Sequence, residues 1–157
     1  PRKALVRLRE FSQAEVQFFV HPKKKEHHIS DVKDVEAFVL TKQDQIKEGK
    51  PKKIKISNLP CSSMIAYFLA DAMLLYKKMG IDEKKLRMRQ HTDDERSFYS
   101  SDTWDVEFMS EKYGRIELVG IAARTDYDLK RHQELSKESM EISYDGEKFV
   151  PHVIEVA

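Results

Sequence analysis

Asp102-Thr103-Trp104-Asp105-Val106-Glu107-Phe108-Met109-Ser110, followed by Glu111-Lys112-Tyr113-Gly114 and Arg115-Ile116-Glu117-Leu118, is the stretch whose reading decides the fold. Trp104, Val106 and Phe108 alternate with Asp105 and Glu107, and Ile116 and Leu118 alternate with Glu117. A period of two places successive side chains on opposite faces of a strand. Tyr113-Gly114 supplies a turn between the runs, so the spacing predicts an antiparallel hairpin. Trp104, Val106 and Phe108 read as a buried face. Glu117 is expected on the face of Val119 and Ile121, where a carboxylate needs a partner such as an arginine.

Working outward, residues 86–91 read as a strand in which Arg87, Arg89 and His91 alternate with Met88 and Gln90. Those three basic residues either line a cleft or face solvent. Thr92 and Glu95 have the spacing of a capping box, which predicts a helical turn over 92–98. Residues 62–79 are the strongest helix: Ser62 or Ser63 caps it and Gly80 stops it. Ile65, Phe68, Leu69, Ala72, Met73, Leu75 and Tyr76 lie almost all round this helix, which predicts packing on more than one side. Residues 125–135 read as a helix, and 140–150 as a small hairpin around Asp145-Gly146.

Upstream, residues 4–20 read as two strands, with Val16, Phe18 and Val20 sharing a face in the second. Residues 21–60 change character, with Lys23-Lys24-Lys25, His27-His28 and Gly49-Lys50-Pro51. They read as an insertion carried on the sheet. Within it, Ile29, Val32, Val35, Phe38 and Val39 recur at helical spacing and predict a helix over 30–48; residues 54–56 read as a short strand. The sum is an α+β fold, an antiparallel sheet flanked by helices.

The 157 residues suit one domain. Lys and Arg number 28 against 27 Asp and Glu, a net charge of +1, which excludes a polycation that coats nucleic acid by bulk charge. Mean hydropathy is −0.63. The longest apolar run, 64–76, contains Asp71 and falls short of the roughly 20 residues that span a bilayer. A soluble, cytoplasmic protein is expected, without a membrane partner. The single Cys61 excludes an internal disulfide and suits a reducing compartment. His21, His27, His28 and Cys61 match no compact zinc spacing, so no metal site is assigned. The lysines at 23–25 and 50–55 read either as a solvated loop or as contacts to nucleic-acid phosphates, with the solvated loop favoured. The chain opens at Pro1 and reads as a piece of something longer.

One element carries chemistry by its residue types. Arg7, Arg9 and Phe11 stand on one side of a strand, and Glu15 follows in the next. Guanidinium groups bind phosphate oxygens through paired hydrogen bonds, an aromatic ring offers a stacking surface for a base, and a carboxylate accepts from an ammonium. The same pattern also suits a solvent-facing strand.

A resemblance extends over several blocks. Residues 1–15, with Arg7-Leu8-Arg9-Glu10-Phe11 and Ala14-Glu15, resemble the second half of motif 2 of class II aminoacyl-tRNA synthetases, and the glycyl-tRNA synthetases of the archaeal and eukaryotic type in particular. Leu86-Arg87-Met88-Arg89-Gln90-His91, Trp104-Asp105 with Glu107, Glu117 with Val119-Gly120, Ala122 and Arg124, Tyr127-Asp128-Leu129, and Val150-Pro151 with Val153-Ile154-Glu155 are similar to further blocks of that family, in the same order. The resemblance implies that residues 1–157 are a partial catalytic domain between motifs 2 and 3, with 21–60 inserted. It implies activation of glycine with ATP and Mg2+ to glycyl-adenylate, transfer to tRNA(Gly), and a homodimer for the full-length protein. It implies that Arg7 contacts ATP phosphates, Phe11 stacks on adenine, Glu15 and Glu155 hold the glycine ammonium, and Arg124 lines the glycine pocket. Ala123 and Ala157 depart from the family's Asp and Ser. The fragment alone is expected to be inactive; a non-catalytic synthetase-like module that binds nucleotide or tRNA is the alternative.

Overall fold

The computed structural model describes residues 12–24 and 26–157. Arg7, Phe11 and the first of the two strands expected over 4–20 lie outside the described residues. The remainder forms a seven-stranded sheet built from β1 (Val16–Val20), β2 (Glu36–Leu40), β3 (Lys52–Lys55), β4 (Leu86–Gln90), β5 (Asp102–Ser110), β6 (Gly114–Thr125) and β9 (His152–Val156). The order is β1-β9-β6-β5-β4-β2-β3. β7 (Ile142–Tyr144) and β8 (Glu147–Phe149) pair separately. The helices are α1 (Lys42–Ile46), α2 (Ser63–Lys78) and α3 (Tyr127–Ser136). The class is α+β, but the sheet is mixed: β2 and β4 run parallel, while all other neighbours are antiparallel. α2 causes the exception, because it carries the chain from β3 back to the far side of β2. No described helix is long and apolar enough to cross a membrane.

The β5–β6 hairpin forms as expected, with Gly114 at a φ of +72° in its turn, a conformation that costs glycine little. Trp104 and Val106 are fully buried with Leu86, Met88, Ile121 and Ile154 beneath α2. α2 is capped by the Ser62 side chain, and Gly80 follows it at a φ of +89°. Phe18 from β1 packs on Phe68 of α2, with ring centroids 4.4 Å apart.

Two expectations are corrected. Residues 30–48 do not form one helix. Ala37, Val39 and Leu40 are buried in β2 between β3 and β4, and only α1 is helical, closed by a Thr41–Asp44 capping box. Apolar residues within so short a run fit either period, and pairing with β3 and β4 decides between them. α2 packs on more than one side, as expected: Ile65, Ala66, Leu69, Ala70 and Met73 are buried, Phe68 meets Phe18 of β1 and Tyr67 meets the His27 ring, while Leu75 is 54% exposed. Glu117 does not share a face with Val119 and Ile121. A bulge places Val119 opposite Val106 but Glu117 opposite Glu107, so Leu118 is the extra residue and the phase flips.

Residues 92–95 make a single turn, in which the Thr92 N–H donates to Glu95. The segment 21–60 adds β2 and β3 to the main sheet.

Leu69→Ala, at a fully buried site, is expected to cost about 2–5 kcal/mol in urea unfolding. Leu135→Ala, at a 70% exposed site, is expected to stay within about 0.5 kcal/mol. Equal midpoints for the two variants would show that α2 is not seated on the sheet.

Candidate functional site

The face of the sheet away from α2 is polar, and the strand register shows why. Arg89 lies opposite Asp105, which lies opposite Gly120. Gly120 and Ala157 exchange backbone hydrogen bonds of 2.7 and 3.0 Å. One step along, the His91 N–H donates to the Thr103 carbonyl, Thr103 faces Ala122, and Ala122 faces Glu155. Two parallel rows result: the first runs from the charged Arg89 and Asp105 to the small Gly120 and Ala157, and the second has His91 and Glu155 at its ends with Thr103 and Ala122 between them. Above them lies a cleft of about 540 Å³, lined in part by His91, Glu95, Asp105, Glu117, Gly120, Ala122, Glu155 and Ala157.

The charges at the cleft are paired. Asp105 is 6% exposed and accepts from His91 Nε2 at 2.8 Å, with Arg89 3.9 Å away. The Asp105 hydrogen bond lifts the His91 pKa above its ordinary value of 6.5, against burial and the neighbouring Arg89 charge. Burial works to raise the Glu95 pKa, but the Arg89 guanidinium, which donates to it at 2.5 and 2.6 Å, and the Thr92 N–H hold it below the usual range. Arg87 pairs with Glu107 at 2.5 Å. Arg87, Arg89 and His91 therefore face the cleft side in ion pairs, Arg87 across to β5 and Arg89 mainly to the following turn.

Arg124 Nη1 donates to Glu155, Arg124 Nε lies 2.8 Å from an Asp128 oxygen, and the guanidinium sits 4.5 Å over the Tyr99 ring. Two carboxylates and an aromatic face thus fix one planar cation. Glu155 lines the cleft, as does Tyr99; Arg124 stands behind them. The structure brings together Arg124 and Glu155. Glu15 is exposed and accepts from Gln17 Nε2 at 2.7 Å. It lies next to the cleft-lining Ala14 and Val16 but is not itself in the lining. Gln17 pairs in register with Glu155, so Glu15 shares the strand face that carries Glu155.

Sequence reasoning missed Asp105 and Glu117 as cleft residues. For Asp105 the signal was its alternation with Trp104. For Glu117 the bulge hid it. Gly120 has no positive φ to demand glycine; a Cβ there would come within 3.5 Å of a Glu117 oxygen and 3.7 Å of an Asp105 oxygen. What glycine provides at this position is open space between two carboxylates. Ala123 points to the core, 6% exposed, so this departure removes nothing from the cleft.

A second cavity lies beside Pro22, Lys23, His27, Cys61 and Ser63. Its polar contacts tie the loop to α2: the His27 N–H donates to Ser63 Oγ at 2.8 Å, and its ring stacks on Tyr67. Burial pushes the Cys61 thiol up to about 12, which makes it a poor nucleophile or metal ligand at neutral pH. Among the described residues, no three His, Cys, Asp or Glu side chains are grouped to hold a metal ion.

No family model matches the sequence. Curated proteins do match it. The chain is 43% identical over 158 residues to the glycine–tRNA ligase of Archaeoglobus fulgidus, an alignment covering 97% of this chain and 26% of that protein. It is 44% identical over 143 residues to the glycine–tRNA ligase of Methanocaldococcus jannaschii, covering 84% of this chain and 25% of that protein. It is 40% identical over 162 residues to the glycine–tRNA ligase of Pyrococcus furiosus, covering 96% of this chain and 28% of that protein. The chain therefore spans about a quarter of the length of the curated relatives it matches.

Arg124→Ala leaves the half-buried Glu155 and Asp128 without their shared cation. Chemical denaturation is expected to show a loss of about 1–3 kcal/mol, and Arg124→Lys is expected to recover only part of it, because an ammonium lacks the planar fork. An unchanged midpoint in Arg124→Ala would mean that the cluster does not order the cleft wall.

Proposed function

From this kinship with one quarter of the archaeal glycine–tRNA ligases, running over nearly the whole chain, we propose that the protein is part of the catalytic domain of a glycine–tRNA ligase. It contributes the floor and one wall of the site where glycine and ATP become glycyl-adenylate, before the glycyl group passes to tRNA(Gly). Residues 21–60 act in this reading as an insertion that extends the sheet edge. The observation that carries it is the cleft itself: small residues at 120, 122 and 157 form the floor, and carboxylates stand around it.

The chemistry suits that arrangement. Glycine offers only an ammonium and a carboxylate, so its site reads charge and leaves no room for a side chain. Glu155, held in place by Arg124, accepts from the ammonium, with Glu15 approaching from β1. Arg7 holds phosphate oxygens and Phe11 stacks on adenine. In the first step a glycine carboxylate oxygen bonds to the α-phosphorus and the bond to pyrophosphate breaks. In the second, a ribose hydroxyl of the tRNA end attacks the glycyl carbonyl, its proton is lost, and AMP leaves. The protein's part is to align the reactants and balance charge, with no covalent protein intermediate. Mg2+ accompanies ATP in such chemistry. Among the described residues none are grouped to hold it.

One observation favours the alternative of a non-catalytic synthetase-like module that binds nucleotide or tRNA. Ala157 stands on the cleft floor where the family has a serine, and it offers only backbone groups, which pair with Gly120.

In a full-length ligase carrying this segment, Glu155→Gln and Glu15→Gln are each expected to raise the KM for glycine about tenfold or more while leaving that for ATP within about twofold, since loss of one charged hydrogen bond is worth about 1.5–3 kcal/mol. ATP–pyrophosphate exchange measures both constants; equal rises would remove the ammonium assignment. The isolated chain is expected to show no exchange above a buffer blank, and exchange by it would overturn the fragment reading.

A further inference from the structure

Among the described residues that line the cleft, His91 is the one whose side chain can carry a positive charge. The same lining carries the carboxyl groups of Glu95, Asp105, Glu117 and Glu155. The His91 ring is not loose. Nε2 bonds to Asp105 at 2.8 Å, and Asp105 is itself buried, with Arg89 3.9 Å away. Arg89 in turn is clamped by Glu95. This chain of contacts fixes the orientation of the imidazole and occupies Nε2, which leaves Nδ1 for a ligand.

We propose that His91, aligned by Asp105, forms the cationic end of the cleft and binds an anionic oxygen of the ligand, either carboxylate or phosphate. This rests on the reading of the cleft as a glycyl-adenylate site and adds a residue to it. His91 is the binding group, and Asp105 is a positioning residue. The register supports the placement. His91, Thr103, Ala122 and Glu155 form one row, so three strand spacings, about 14 Å between backbones, separate His91 from Glu155. A ligand that has an ammonium at one end and an anionic oxygen further along fits between them, over a floor with no large side chain.

The charged groups acting on His91 are Arg89 at the end of β4, Glu95 in the following turn and Asp105 on β5. The Asp105 hydrogen bond keeps the ring protonated to higher pH than an ordinary histidine, and burial and Arg89 oppose it. An anion bound at Nδ1 favours the charged ring further, so its affinity is present at low pH and falls as pH rises through the ring's midpoint.

The test is an NMR titration of the histidine ring signals of this chain, with the His91 signal assigned by its loss in His91→Gln. Sulfate and glycine serve as probes, because neither changes charge between about pH 5 and 8.5. The expected result is a His91 midpoint that rises by about half a pH unit or more with at least one probe, which corresponds to about threefold tighter binding to the charged ring. A response to sulfate assigns the phosphate oxygen, and a response to glycine assigns the carboxylate. Asp105→Asn, with its fold checked through the buried Trp104, is expected to lower the midpoint and carry the probe response to lower pH. A midpoint unmoved by Asp105→Asn overturns the positioning role. If the backbone amides of Gly120 and Ala157 respond to glycine or ATP while the His91 midpoint stays fixed, this inference fails and the ligase reading stands. If no cleft signal responds to glycine, ATP or sulfate, both fail.

Discussion

The structure depends on a single constraint in β5, a strand buried on both sides. Trp104 and Val106 have no exposure on one side, while Asp105 and Glu107 are 6% and 9% exposed on the other. Apolar side chains gain from leaving water; carboxylates lose unless something replaces their hydration. The lower face meets this demand with α2, and the upper face with cations supplied by the neighbouring strand. Arg87 lies opposite Glu107 and Arg89 opposite Asp105. Antiparallel pairing sets these partners side by side at a distance that side chains can bridge. The core and the cleft are thus two outcomes of one alternation.

The bulge between β5 and β6 is what makes the polar face acidic enough to matter. Without it Glu117 would face α2 among Val119 and Ile121. One extra residue, Leu118, brings Glu117 and Gly120 onto the same face although they are three apart. The absent side chain at Gly120 then leaves the two carboxylates, Glu117 and Asp105, with space between them. Toward β9 the floor stays low because Ala122 and Ala157 are small. At that end the tightest cluster is Arg124 with Glu155, Asp128 and Tyr99. It joins the end of β6 to the first turn of α3, so the helix serves to hold a cleft residue in place. The cleft therefore has fixed charges at both ends and little bulk in the middle.

α2, the hairpin turn at Gly114 and the β7–β8 hairpin around Asp145-Gly146 were legible in the sequence, because each is decided within a few residues. Capping at Ser62, a glycine past the helix end and positive φ at Asp145 and Gly146 are local matters of hydrogen bonding and backbone sterics. The two-residue period of β5 was equally plain. From it alone follow a strand, its two faces and the burial of Trp104. The block resemblance that pointed to glycine and ATP also needed no coordinates.

Only tertiary structure could decide the rest. The run from Val35 to Leu40 fits a helix or a strand until β3 and β4 lie beside it, since partners distant in sequence supply the hydrogen bonds. The side taken by Glu117 depends on a register shift that no residue type announces. Asp105 reads as half of an ordinary alternation, and only the folded sheet sets His91 and Arg89 against it. Glu155 and Arg124 are 31 residues apart and meet because β9 returns to pair with β6. Side-chain chemistry was written along the chain, while the convergence of charges on one hollow required strands remote in sequence to become neighbours.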